Sequence, residues 1–215
     1  MSQQYQFTNN WFGINHRLFN EYLTKFNDQK VNVLEVGCFE GRSTTWLVDN
    51  VLGHPESTMV AIDPFLSNDP TAPVVKTTYN RFLYNLAESK YPEKVTHFHQ
   101  TGEEAYPILT AESYDLCYID GCHMPWNIVH DMCNVWRLTK VGGMIICDDY
   151  GSDNRFGTNH SPGEAMRYFL QNVLKGQGYQ IKMIDWALYL IKTANHEFKD
   201  EELTLDHWKT ALWSF

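Results

Sequence analysis

The stretch Val33-Leu34-Glu35-Val36-Gly37-Cys38-Phe39-Glu40-Gly41-Arg42-Ser43-Thr44 decides the fold. An apolar, β-branched run leads into a glycine turn, and Ser43 stands where a hydroxyl would cap the helix that follows. Glycine at positions 37 and 41 lets a ligand approach the backbone, where a side chain would block it. The pattern is ExGxxxG. It is not the GxGxxG of dinucleotide sites, and no Lys-Ser/Thr follows Gly41 as a P-loop requires.

Outward from this segment, short apolar runs recur at residues 31–36, 59–62, 95–99, 114–119 and 144–147, each ending in a polar or glycine-containing turn. Amphipathic stretches at 43–51, 77–90, 103–109, 126–138 and 164–175 fall between them. Strand–helix alternation of this kind predicts a Rossmann-like α/β fold, a parallel sheet with helices on both faces. The runs at 179–184 and 187–192 are too close together for a crossover helix, so they should pair antiparallel and complete a mostly parallel seven-stranded sheet with a C-terminal antiparallel hairpin. No linker or repeat divides the chain, which reads as one domain: an N-terminal helical extension (1–30), a core (31–193) and a tail (194–215). Within the extension, residues 10–26 carry apolar side chains at roughly helical spacing, suited to packing on the sheet edge or lidding a site. The tail reads as a docked surface helix.

Composition narrows the function. At 215 residues, 43% hydrophobic and 20% charged, the chain is not a disordered one. With 17 Lys+Arg against 26 Asp+Glu the net charge is −9, a field that repels nucleic acid and anionic membranes. No apolar run approaches the ~20 residues of a membrane span. The polar N-terminus lacks the order of a secretory signal. Five cysteines without a CxxC pair read as reduced thiols of a cytoplasmic protein and argue against zinc.

Asp63 ends the second strand, where an acid suits a ribose diol. Further on, Tyr118-Ile119-Asp120-Gly121-x-His123 closes the fourth strand and Cys147-Asp148-Asp149-Tyr150 the fifth. These features in order resemble class I S-adenosylmethionine-dependent methyltransferases, and more narrowly small O-methyltransferase-like proteins with an IDGxH motif. The resemblance runs from about residue 31 to 192. It implies that Glu35, Gly37, Cys38, Phe39, Gly41 and Ser43 form the cofactor loop, that Asp63 holds the ribose, and that Gly102 and Glu103 lie near the adenine, with Asp120 completing the set. Glu103 also suits a first-turn helix acid.

Methyl transfer from a sulfonium needs only an acceptor oxygen held in line with the methyl group. Asp120, Asp148 and Asp149 place three carboxylates at neighbouring strand ends, where they must be protonated, hydrogen-bonded or bound to a cation. Hard oxygen ligands favour Mg2+, Mn2+ or Ca2+. The divalent-metal-dependent relatives of catechol O-methyltransferase place acids at these same strand ends, but this sequence lacks an evident lysine base. His123 is the other candidate for accepting the hydroxyl proton, with Asp120 beside it. His97 and His99 read as pleat alternation. The loops at 65–75 and 150–161 should frame a small-molecule acceptor, a sugar or a phenol, with Arg155 at the mouth. Two rivals stand beside this reading: a methyltransferase-like module that binds without turnover, and a nucleotide-dependent sugar-modifying enzyme. Oligomeric state is not legible.

Overall fold

A computed structural model describes residues 5–66, 74–152 and 161–212 of the chain. The strands are β1 (Asn32–Val36), β2 (Thr58–Ile62), β3 (Val95–Phe98), β4 (Tyr114–Ile119), β5 (Thr139–Cys147), β6 (Tyr179–Ile184) and β7 (Leu188–Lys192). They follow the order β3-β2-β1-β4-β5-β7-β6 in a seven-stranded sheet, mostly parallel with an antiparallel end. The architecture expected from the alternation of apolar runs is therefore the one observed. The chain divides into two compact units, Met1–Thr101 and Gly102–Phe215.

In the first unit, β1 pairs in parallel with β2, and β2 with β3. The inner strand β1 is apolar on both faces, with Val33, Leu34 and Val36 all buried, as a doubly covered strand must be. Helix α2 (Arg42–Val51) follows the glycine turn, and α3 (Val74–Ala87) precedes β3. The segment expected to be one helix over 10–26 is instead a 3-10 turn (Trp11–Ile14), α1 (His16–Tyr22) and a second 3-10 turn (Thr24–Phe26). Its aromatic side packs on α2: the Phe12 and Phe19 rings lie 6.2 and 5.3 Å from that of Trp46.

In the second unit, β4 pairs in parallel with β5, and the β6–β7 hairpin joins β5 antiparallel through β7. Strand β5 starts at Thr139, ahead of the apolar run at 144–147, and its register against β4 shifts between Tyr114 and Leu116. The stretch 103–109 is cut into α4 (Gly102–Ala105) and a 3-10 turn (Tyr106–Ile108), since Pro107 has no N–H to continue an α-helix. Helix α5 (Pro125–Leu138) is nearly all buried. Helix α6 (Pro162–Tyr168) opens on a Ser161–Glu164 capping box and passes into a π-type turn (Phe169–Val173). The tail forms α7 (Leu205–Leu212), anchored by buried Trp208. Among the described residues no helix is long and apolar enough to cross a membrane.

Candidate functional site

Two clusters matter, one in each unit. In the first, strand β1 ends at Val36 and the chain turns through Gly37 (φ 89°), Phe39 (φ 47°) and Gly41 (φ 82°) into α2. The turn is tied to the end of β2 by Asp63. Its Oδ2 accepts the N–H groups of Cys38 and Phe39, each at 2.8 Å, and its Oδ1 accepts that of Phe65 at 2.6 Å. Phe65 is, like Phe39, a non-glycine residue in the left-handed region (φ 49°). One carboxylate thus holds two phenylalanines in a conformation that costs about 1–3 kcal/mol each. Among the described residues, three of its roughly four lone-pair sites are occupied, which leaves one for a ligand hydroxyl.

The side chains expected to surround the cofactor divide their work differently. Glu35 is fully buried and accepts the Ser43 and Thr44 hydroxyls, each at 2.5 Å. Ser43 is therefore not the cap of α2; Gly41 holds that position without a side-chain bond, and Ser43 lies inside the first turn. The Cys38 thiol is buried toward the Ile62 carbonyl, and burial pushes its pKa well above the usual range. Gly41 is doubly constrained, by its φ and by Phe82, whose ring would lie 3.1 Å from an added Cβ. Gly41→Ala should destabilise the fold by about 1–3 kcal/mol, read as a lowered midpoint in urea unfolding. A midpoint equal to wild type would show that the turn relaxes.

Beyond the turn, His97 and His99 meet the same side chain, as pleat neighbours on one face do. The Tyr79 hydroxyl lies 2.9 Å from His97 Nε2, and the Tyr79 ring stands 4.4 Å from that of His99.

In the second unit, β4 leads into Asp120 and β5 into Asp148 and Asp149. His123 Nε2 lies 2.9 Å from Asp149 Oδ2 and 3.9 Å from Asp120 Oδ1. The Tyr118 hydroxyl donates to Asp148 Oδ2 at 2.7 Å and reaches Asp120 Oδ2 at 3.1 Å. Asp148 Oδ1 accepts the N–H of Asp149, which sits in the left-handed region (φ 59°). Trp186 Nε1–H donates to Asp149 Oδ1 at 3.1 Å. Burial, and then the Asp148 charge, push the Asp120 carboxyl up to about 7. Asp120 and Asp149 together push the His123 imidazole up to about 10, so it is protonated at neutral pH. A recess beside this cluster is lined by Asp120, His123 and Asp148 and by apolar Ile128, Met132 and Met166.

One ligand atom from each of Asp120, His123 and Asp149 lies within 4.8 Å of the others, a spacing that fits a cation. Asp148, expected among the metal-binding carboxylates, accepts from the Tyr118 hydroxyl and the Asp149 N–H; among the described residues the set within mutual reach contains His123 beside Asp120 and Asp149. Gly102 makes room for the Tyr106 ring, 2.7 Å from an added Cβ, and Glu103 is an exposed first-turn acid of α4. Arg155 and the loop segments 67–73 and 153–160 lie outside the described residues.

A family described as a methyltransferase domain matches residues 34–150, more than half of the chain, from the glycine turn through the acid pair. The chain belongs to that family. Solved structures share the methyltransferase's fold. A cofactor-bound protein from MTB is 18% identical with a TM-score of 0.64, over 90% of this chain and 86% of that one. The O-methyltransferase from Bacillus cereus in complex with SAH is 15% identical with a TM-score of 0.61, over 86% and 84%. The O-methyltransferase TomG from Streptomyces achromogenes, in complex with SAM, is 19% identical with a TM-score of 0.58, over 84% and 78%. The uncharacterized protein R132 of Acanthamoeba polyphaga mimivirus is 24% identical over 141 residues, so the match spans 65% of the methyltransferase and 60% of that relative's length.

Three contributors escaped the sequence reading. Tyr118 stands two residues before Asp120 on a strand, hence on the same face, and period-two reasoning could have found it. Trp186 sits in the hairpin turn, where nothing local marks it. Glu40 lies in the glycine turn itself and looks like a solvent-facing acid.

Proposed function

We propose that this methyltransferase transfers a methyl group from S-adenosylmethionine to a hydroxyl oxygen of a small molecule, a sugar or a phenol. The observation that carries the reading is the contact of His123 with Asp149 and Asp120 at the carboxyl ends of β4 and β5, in a chain of the methyltransferase family. The O-methyltransferases of like fold, crystallised with SAM or SAH, support it.

In this reading the glycine turn of the first unit takes the cofactor. Gly37 keeps a side chain off the turn, Gly41 lets the turn close against Phe82, and Asp63 offers an acceptor site to a ribose hydroxyl. The second unit's cluster acts on the acceptor. His123 takes the hydroxyl proton at Nδ1 once the ring is neutral, while its Nε2–H, 2.9 Å from Asp149 Oδ2, lets Asp149 orient the ring. Trp186 and Tyr118 keep the carboxylates in place.

Asp120, His123 and Asp149 would hold a divalent cation, which would supply Lewis-acid polarisation of the acceptor oxygen. An imidazole among the ligands suits Mn2+ better than Mg2+ or Ca2+.

The test is release of S-adenosylhomocysteine from S-adenosylmethionine with catechol and sugar panels, in EDTA and with Mn2+ or Mg2+ restored. Turnover that vanishes in EDTA and returns with Mn2+ supports the full reading. Full activity in EDTA removes the cation and leaves His123 as the base. Binding of S-adenosylhomocysteine without turnover on any acceptor would favour the module that binds without catalysis. Tight NAD binding in its place would favour the nucleotide-dependent enzyme.

A further inference from the structure

We infer that the extended N-terminal strap, Tyr5 to Trp11, is part of the cofactor-binding machinery, and that Glu40 is the positioning residue through which it acts. The inference rests on the cofactor reading of the glycine turn. Glu40 lies within that turn, yet its side chain is only 3% exposed. A carboxylate so buried must be paired. Its Oε2 accepts the Thr8 N–H at 2.7 Å, and its Oε1 accepts the Thr8 hydroxyl and an Arg81 N–H, each at 2.9 Å.

The strap is fastened on either side of that contact. Asn85 Oδ1 accepts the Gln6 N–H at 2.7 Å, while Asn85 Nδ2 donates to the Gln6 carbonyl at 3.0 Å and the Glu40 carbonyl at 2.8 Å. Arg42, the first residue of α2, donates to the Asn9 carbonyl at 2.5 Å and lies over the Phe7 ring at 4.3 Å. The Trp11 ring stands 5.3 Å from that of Phe39 and is largely exposed.

The turn is therefore held from two sides, by Asp63 from the end of β2 and by the strap through Glu40. The residue between those grips is Phe39, whose left-handed backbone needs to be held in place. Removing the strap leaves the Glu40 carboxylate with Arg81 as its one hydrogen-bond donor among the described residues and lets the turn sample other shapes. A ligand must then order the turn at the expense of its affinity.

Thr8→Pro in the full chain removes both donors to Glu40 from an exposed position, and Thr8→Ser keeps both. A chain without its first nine residues removes every strap residue that bonds to Asn85, Glu40 or Arg42. The readouts are S-adenosylhomocysteine affinity by calorimetry, hydrogen exchange of the 38–42 amides, and the melting temperature. The expected result is affinity lowered about 10-fold or more in Thr8→Pro and in the shortened chain, with faster exchange in the turn and wild-type behaviour in Thr8→Ser. If the shortened chain does not fold, Thr8→Pro decides. A folded Thr8→Pro protein that binds within about twofold of wild type, with unchanged exchange, overturns the inference and leaves the cofactor reading standing. A wild-type protein that does not bind S-adenosylhomocysteine overturns both.

Discussion

Replacing His123 with glutamine will lower turnover by about 10²- to 10⁴-fold, the range a positioned acid–base group contributes, while S-adenosylhomocysteine affinity stays within about twofold of wild type. Glutamine keeps a donor for Asp149 Oδ2, 2.9 Å from the present ring nitrogen, so the cluster should hold its shape while losing a group that can exchange a proton. Turnover unchanged in the variant would remove His123 from the chemistry. The wild-type rate carries a pH signature as well. The imidazole is held protonated by Asp120 and Asp149, with its pKa pushed up to about 10. A base must first lose that proton, so in EDTA activity should climb as pH rises above 7, and the climb should be absent from the variant.

Stability should move the opposite way. A histidine whose folded pKa is raised stabilises the fold fully below its unfolded pKa of about 6.5 and loses that contribution as pH rises through the folded value. Asp120, also raised, binds its proton more tightly in the folded state and shifts stability in the same direction at lower pH. Wild-type protein in EDTA should therefore unfold more readily as pH goes from about 6.5 toward 10, and His123→Gln should flatten that slope. A slope of opposite sign would mean that His123 is neutral in the fold.

Asp63→Ala will weaken S-adenosylhomocysteine binding by about 10- to 100-fold and lower stability by about 2–4 kcal/mol, because three backbone N–H groups lose a charged acceptor at once. Two of those donors belong to Phe39 and Phe65, the left-handed residues that flank the site. The single acceptor site left on Asp63 sets the finer result: an S-adenosylhomocysteine analogue lacking one ribose hydroxyl should bind as the parent does, and the analogue lacking the other should bind worse. Calorimetry on the three ligands and chemical unfolding of the variant read both effects. Undiminished affinity in Asp63→Ala would take this residue out of the cofactor site.

Local pattern alone determined much of this protein. Strand-helix alternation, the glycines at 37 and 41, and the near-absence of residues between 184 and 187 specified a parallel sheet ending in a hairpin, since period and spacing are properties of the chain itself. The acids at 63, 120, 148 and 149 were visible because strand ends are visible. Partnership was not. Only tertiary packing decided that Asp148 belongs to Tyr118 and the Asp149 N–H while His123 joins Asp120 and Asp149, that Glu35 faces the hydroxyls of α2, that Ser43 lies past the cap, and that Glu40 turns inward to meet Thr8 and Arg81. A carboxylate's place along the chain says which loop carries it. Its role follows from which donors surround it once solvent is excluded, and the donors to Glu40 come from residues as far apart as 8 and 81.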